Sequence, residues 1–575
     1  MVRLLFDSQN CGRQLMVLPF ILLQFLIYGQ CDRMKDSLTL VSIYNTTEGF
    51  QWTNRTNWLQ PGRNIGTWFG VRLDTEGCVE SLSLPTNKLS GAVPAVAGDF
   101  SQIKILNLTN NNLSGAIPTT IGKLTRLEEL NIGTNKLNGK IPDEIGNLVN
   151  LQKLQLSLNL LTDNIPESLG NLKQLRSLYL NQNKLTGNIP DNLGDLILLE
   201  ELLLSQNELT GIIPSRLFDL TNLNSLILSQ NNLSGVLNPS IIQLVNLRFL
   251  SLDENNLTGP IPSTLSNLTE LREVFFQNNK FFGAIPTGLA DLPQLQKLLL
   301  NNNLLTGNIP DGFGSLTRLQ SLHLSDNMLS GSIPEDLGNS QSIISLLMGN
   351  NLLSGTIPSS FGNMSSLQNL HLYNNQLTGE IPESFGNLTN LRRIYLQENR
   401  LEGCFPESMQ KFCPTVFSQN VNSNGHNFTA NPQLIFGGDF KRWCTGEGRV
   451  ILNVTADSLL CEGSEATLSA TGGVSYLWEG PAGFSSNTAT TKIDQITQEL
   501  FGTYRVTVTN ENRCRKSGTI NISPVGAVTT GSNAPICEGV ELRLNADGGI
   551  SYKWIGPDGF FSDQQNNGLC YKQGN

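Results

Sequence analysis

The chain has 575 residues, a formal net charge of −10 and only 15% charged residues. That length calls for several domains, and an acidic balance without a basic run excludes nucleic acid and anionic lipid as partners. Ten cysteines, all outside the regular middle of the chain, agree with an oxidising compartment.

The N-terminus carries an apolar run over residues 15–29, preceded by Arg3 and Arg13. Fifteen residues are too few for a membrane span, so residues 1–30 read as a signal peptide, and no integral span is evident elsewhere. The stretch ahead of the run is long for a signal, which makes Met16 a candidate start and places Cys11 outside the protein. Gln30 stands where a lipoprotein anchor at Cys31 needs a small residue.

Residues 31–78 read as an N-terminal cap. Leu38, Leu40, Val41, Ile43 and Tyr44 predict a short amphipathic helix. Trp52, Trp58 and Trp68 follow in a Gly/Asn-rich stretch and read as an apolar lid, not a ligand cage.

Residues 79–402 form the solenoid. Fourteen asparagines, beginning with Asn87 and ending with Asn399, stand 24 residues apart without a slip. A fixed period of this kind means coils that bury their apolar face only by stacking on one another. In the coil from Leu127, the residues Leu127, Leu130, Ile132, Leu137, Ile141, Ile145 and Leu148 point inward. Apolar–polar alternation around Leu130 predicts one strand per coil, paired into a parallel sheet on the order of 65 Å long at roughly 4.8 Å per strand. Each asparagine after the strand turns inward to bond backbone groups of its own and the adjoining coil.

Gly139 and its equivalents suit a bend with positive φ, and the Ile-Pro pair that follows sets an extended segment. The pattern L-x-G-x-I-P resembles the plant-type leucine-rich repeat over about residues 79–406. The resemblance implies a right-handed superhelix whose convex side carries a second short strand and a 3₁₀ turn. Asp163 in place of the glycine, and the shifted Asn238-Pro239 pair, read as local loop variation. The segment from Trp68 to Asp74 resembles the W-x-G-V-x-C-D of plant caps, with Leu73 where that family has cysteine. A Cys31–Cys78 bridge, similar to bacterial versions of the cap, is the implied substitute. Beyond the last coil, Cys404, Cys413 and Cys444 form an odd set, from which a Cys413–Cys444 bridge is expected to close a C-terminal cap over residues 403–447.

Near Arg449 the leucine period gives way to short Val/Thr/Tyr strands between Gly/Asn/Ser turns, so residues 448–525 read as a β-sandwich. Cys461-Glu-Gly, Trp478 and Gly483-Phe484 recur 76 residues later as Cys537-Glu-Gly, Trp554 and Gly559-Phe560. These segments resemble Ig-like modules of large secreted bacterial adhesins, which implies Trp478 as core tryptophan and a Cys461–Cys514 bridge. Tyr504 lies ten residues before Cys514, not two as in antibody domains, so that bridge is expected to tie a strand start to a late hairpin. The counterpart of Cys514 would fall at position 590, so residues 526–575 read as an incomplete second module, expected to be poorly ordered or strained.

On each strand, the residue between the two inward leucines faces the concave side. From Tyr179 this column runs Leu203, Ile227, Ser251, Phe275, Leu299, His323, Leu347, His371 and Tyr395, joined by Phe249 and Tyr373 in neighbouring columns. An apolar stripe flanked by Asn, Gln and Ser is what a protein or peptide footprint needs. The alternative is that apolar residues there only strengthen cross-strand pairing.

His323 and His371 lie two coils, roughly 10 Å, apart, too far to share a metal unaided. Asp253, Glu254, Asp326 and Glu398 occur singly, and no Ser/His/Asp cluster, phosphate loop or zinc spacing appears. No catalytic residue, metal or cofactor is therefore expected. Sequons such as Asn112-Leu-Ser and Asn256-Leu-Thr follow automatically from the repeat and say nothing of glycosylation.

The resulting expectation is a secreted or cell-surface adhesion or recognition protein that binds a protein or peptide, with a glycan as a further option, through the concave face. The alternative is the ectodomain of a signalling receptor resembling plant receptor kinases. A weaker one is the targeting part of an enzyme whose catalytic domain lies elsewhere.

Overall fold

The computed structural model describes residues 32–414, 426–429, 431, 433–524, 529–532, 541–548, 551–556 and 560–570. Cys31, Cys537 and the apolar run of residues 15–29 lie outside them. The chain divides into two compact units, Met1–Leu377 with Ser384–Leu396, and Thr378–Glu383 with Gln397–Asn575.

The first unit opens with the helix Arg33–Thr46, whose N-terminus is capped by Asp32, accepting from the amides of Met34 and Lys35. Leu40 and Ile43 are buried, whereas Leu38, read as part of the apolar face, is 63% exposed. Asp36 does what no apolar pattern announces: it is buried and accepts from the Val79 amide at 2.8 Å, tying the helix to the first coil. Burial raises its pKa against that hydrogen bond. Trp52, Trp58 and Trp68 are all buried, with centroids 4.8 Å apart for both Trp52–Trp58 and Trp58–Trp68. Cys78 is disulfide-bonded.

Val71–Leu73 pairs antiparallel with Val79–Ser83, and from there the strands follow in chain order, parallel and in register to Arg393–Tyr395. Leu130 stands beside Leu106 and Leu154, one repeat away on either side. The ladder of asparagines holds the coils together. Oδ1 of Asn303 accepts from the Phe281 amide of the preceding coil at 3.0 Å, while its Nδ2 donates to the carbonyls of Phe276 and Leu300 at 3.0 and 3.1 Å.

The other side of each coil bends where the repeat glycine stands. Gly139 has φ +72°, and Asp163 takes the same left-handed conformation at φ +64°. A second sheet of short parallel strands follows, interrupted just after Asp163, where only isolated bridges link Asn164 with Thr186 and Asn188 with Thr210. Then comes a 3₁₀ turn, for example Asp143–Asn147. These turns pack so closely that a Cβ on Gly146 would lie 2.3 Å from the Ser168 carbonyl oxygen. Asn238-Pro239 preserves the plan, since the Asn238 side chain caps the turn Pro239–Gln243.

The second unit holds the parallel strands Thr378–Gly379, Arg400–Gly403 and Gln433–Leu434. Asn431, with no place in the 24-residue period, extends the ladder: its Oδ1 accepts from the Leu401 amide at 3.2 Å and its Nδ2 donates to the Phe428 carbonyl at 2.7 Å. Phe405, Phe428, Phe440 and Trp443 form the buried cluster of the cap, and Cys413 is bonded to Cys444.

Two antiparallel layers compatible with a β-sandwich follow. One contains Asn453–Ala456, Ala466–Thr471 and Thr490–Ile493; the other contains Ser475–Glu479, Gly502–Thr509 and Arg515–Pro524. Trp478 and Tyr504 are fully buried, and the Tyr504 hydroxyl donates to the Leu500 carbonyl at 2.7 Å.

The bridge implied between Cys461 and Cys514 is not formed. Cys514 is bonded to Cys404, and Cys461 is a free, exposed thiol. The register explains why. Leu459–Leu460 pairs with Ser523 and Pro524, at the far end of the strand that begins just after Cys514, so the two cysteines are separated by about ten residues or ~33 Å of strand. A disulfide spans at most about 7 Å between Cα atoms.

The described residues of the second copy include several strands. Thr529–Ser532, Glu541–Asp547 and Asn566–Cys570 form an antiparallel sheet beside the hairpin of Trp554–Ile555 and Phe561–Ser562. Each strand lies close to 76 residues after its counterpart in the first copy. Trp554 Nε1 donates to Gln564 O at 2.9 Å, as Trp478 Nε1 does to Thr488 O at 3.2 Å. Trp554 is half-buried.

Two outcomes are expected. Asn303→Ala strands several buried backbone groups and should lower stability by about 1–3 kcal/mol in urea unfolding, whereas the same change at the exposed Asn112 should cost little. Non-reducing peptide mapping of the native protein should recover a Cys404–Cys514 crosslink, with Cys461 alkylated by iodoacetamide. A Cys461–Cys514 crosslink would restore the pairing that the sequence implied.

Candidate functional site

Within the first unit, each strand of the large sheet buries its central leucine and leaves the residues on either side half-buried on the inner face, as in Ser177–Tyr179 and Lys297–Leu299. Tyr179, Leu203 and Ile227 stand in successive registers, as do Phe275, Leu299, His323, Leu347, His371 and Tyr395. Ser251 interrupts the series: it is buried, and its Oγ lies 2.5 Å from Asp253 Oδ1. Phe249 starts its strand and is 36% exposed. Tyr373, just beyond the strand end, lays its ring over Gly349, where a Cβ would come within 2.4 Å of the ring.

The rings are held by specific neighbours. The Tyr179 hydroxyl donates to Glu201. His371 stacks on Tyr395 with centroids 4.4 Å apart, and His323 Nε2 lies 2.9 Å from Ser345 Oγ. Lys297 Nζ is 3.0 Å from Glu273 and 6.0 Å from the Phe275 centroid. Beyond the strands, Asn302 donates to Asn278 at 2.7 Å and Asn374 to Asn350 at 2.7 Å, so this edge is a fixed polar rail. Burial pushes the pKa of His323 down to about 4; His371 is also lowered to about 4 by burial, helped by the positive charge of Arg393 and by His323. Both imidazoles are neutral at neutral pH.

Within the first unit, four buried polar atoms of this face lack a partner: Gln155 Oε1, Arg272 Nε, Gln277 Oε1 and His371 Nε2. Each is costly to leave dry and unmatched. Among the described residues, no group of three or more His, Cys, Asp or Glu side chains could hold a metal ion, and no helix is long and apolar enough to cross a membrane. One open depression of about 580 Å³, lined among others by Thr53, Thr86 and Lys88, contains no histidine or cysteine.

Family models for the leucine-rich repeat match residues 79–232, 341–401, and three further segments at 246–268, 294–316 and 318–340. Among solved structures, the Arabidopsis receptor kinase HAESA, in complex with the peptide hormone IDA and the co-receptor SERK1, is 30% identical. The match covers 69% of this chain and 70% of that one, with a TM-score of 0.58. The chain is a leucine-rich repeat protein. The plant peptide hormone receptor RGFR1, in complex with RGF2, is 34% identical to this repeat protein over 58% of its length, with a TM-score of 0.52. A TDR receptor is 32% identical over 58%, with a TM-score of 0.54. The match spans 61% and 62% of those two chains, about three fifths of their length. A comparison of the repeat protein with curated proteins gives no match.

The leucine period directed attention to one column of the inner face. The charges on its two sides, Arg248, Arg272 and Arg392 at strand starts and Asp253, Glu254 and Asp326 at strand ends, become a pattern only once the strands are stacked in register.

The two histidines give the repeat protein a signed pH dependence. Their folded-state pKa of about 4 lies below the ordinary 6.5, so the unfolded chain binds more protons between those values. Their contribution to stability is complete above about pH 6.5 and is lost as pH falls towards 4. The urea midpoint should drop between pH 7.5 and pH 5, and drop less in the double variant His323→Gln, His371→Gln. Asp36 and Asp253, whose pKa values are raised, remain in both proteins and cancel in the comparison. An identical drop in the variant would contradict this assignment.

Proposed function

We propose that this leucine-rich repeat protein is a secreted or cell-surface binding protein without catalytic activity, which captures a peptide or protein segment on the inner face of its sheet. One observation carries the reading. From Phe275 to Tyr395, six successive strands each present a half-buried ring or leucine at the same position, a continuous strip of roughly 24 Å. Orphaned polar atoms beside the strip, and polar side chains along its edge, match the anatomy of a recognition surface with an apolar centre and a hydrogen-bonding rim. The peptide-bound states of the HAESA and RGFR1 structures support the same reading for this relative.

The tandem 76-residue copies favour a surface adhesin in which sandwich modules form a stalk. A receptor ectodomain is the second reading, favoured by the receptors among the solved structures. Oxidised cysteines in both units suit either extracellular setting.

Replacement of Tyr179, Phe275 and Tyr395 by Ala tests the reading. Capture of peptides selected from a random display library on the intact chain should be abolished. Thermal unfolding should move only slightly, since each cross-strand contact contributes about 0.2–1 kcal/mol. Undiminished capture by the triple variant would reduce the strip to cross-strand packing.

A further inference from the structure

The strip is not uniform along its length. Phe275, His323 and His371 carry rings on every second strand with Leu299 and Leu347 between them, and Tyr395 closes the strip on the strand after His371. Two strands at ~4.8 Å give a repeat of ~9.6 Å. A left-handed polyproline chain turns once in three residues of 3.1 Å, or ~9.3 Å, so one side chain per turn stays in step with the rings. A β-extended ligand repeats at ~6.8 Å and loses step after one strand.

Charge is divided across the same strands. At their starts stand Arg248, Arg272, Lys297, Arg392 and Arg393, with Glu273 as the one acid. Beyond their ends stand Asp253, Glu254 and Asp326, with no Lys or Arg at the equivalent positions from Ser229 to Asn374. The two edges are five residues apart, roughly 16 Å along the chain. The earlier coils lack this division: Glu80, Lys104, Glu129 and Lys153 mix both signs at strand starts and pair with one another, and their strand ends carry no charge. Segregated charge therefore begins one coil before the ring–leucine strip, at the strand Phe249–Ser251, and continues along it.

We infer that the ligand of this face is an extended peptide of polyproline type with a three-residue period. Proline or another apolar residue meets the rings, acidic residues face the arginine edge, and basic residues face the aspartate edge. The inference rests on the peptide-binding reading and specifies its ligand. The polyproline conformation also leaves its own backbone carbonyls unbonded, and these match the orphaned donor at Arg272 Nε, as well as His371 Nε2 in the tautomer that carries its proton there. A helical ligand satisfies its own backbone and leaves them unmatched.

From Ile227 to Tyr395 the strands span roughly 34 Å, which about eleven polyproline residues cover. The test is selection of dodecapeptides from a random display library on the intact chain, with counter-selection on the triple Ala variant. Calorimetry then compares a Pro-Glu-Lys repeat dodecapeptide with the same composition scrambled. Strip-dependent peptides with a three-residue period, a repeat peptide that binds about tenfold tighter than its scramble, and loss of that preference in Arg248→Glu, Arg272→Glu support the inference. Strip-dependent peptides with a two- or seven-residue period, or a scramble that binds equally well, overturn it and leave the peptide-binding reading intact. Absence of any strip-dependent peptide overturns both.

Discussion

Each ladder asparagine answers backbone groups in two adjacent coils at once, and the stack depends on that sharing. A coil this short cannot close its own hydrogen bonds: the strand ends leave carbonyls and amides facing the interior, where leucines offer nothing in return. Asn135 supplies both halves, accepting from the Leu113 amide and donating to the carbonyls of Leu108 and Ile132. An aspartate of the same length only accepts and would satisfy one half, and an apolar residue neither. The leucines contribute bulk and the asparagines contribute register.

With the interior fixed in this way, residues flanking each central leucine are free of structural duty. They can vary from coil to coil while their positions stay set by the sheet to within the scatter of a strand spacing. The early coils use that freedom for cross-strand ion pairs, such as Lys104 with Glu80 and Arg176 with Glu200. The later coils keep one such pair, Lys297 with Glu273, and add a run of rings and leucines beside it. The neutral histidines belong to this second regime, since burial between apolar neighbours disfavours their charged form.

The solenoid was legible because its signal is redundant. Any single coil could mislead, but asparagine, glycine and Ile-Pro recur together, and the tolerance at Asp163 shows that conformation, not residue identity, is what repeats. Asn431 escaped because the sequence between the last coil and the cap departs from the period, and Asp36 because a buried acid leaves no apolar trace. Trp478 in the sandwich core was anticipated through the resemblance to Ig-like modules; the burial of Tyr504 beside it was not. Its cysteine pairing was not, because a bridge depends on which end of a strand each sulfur occupies, and spacing along the chain does not carry that information. The column of the inner face could be read from one sequence; the opposed charges at its sides required the register.

The Cys404–Cys514 bond encloses the C-terminal cap and most of the first sandwich in a covalent loop of the chain. Traction applied from beyond Pro524 would travel along Arg515–Pro524, cross the sulfurs and enter the last coil directly at Arg400–Gly403. The cap's aromatic cluster, its own Cys413–Cys444 link and the strands before Cys514 are bypassed by that path. Under tension, the staple would shield these segments mechanically.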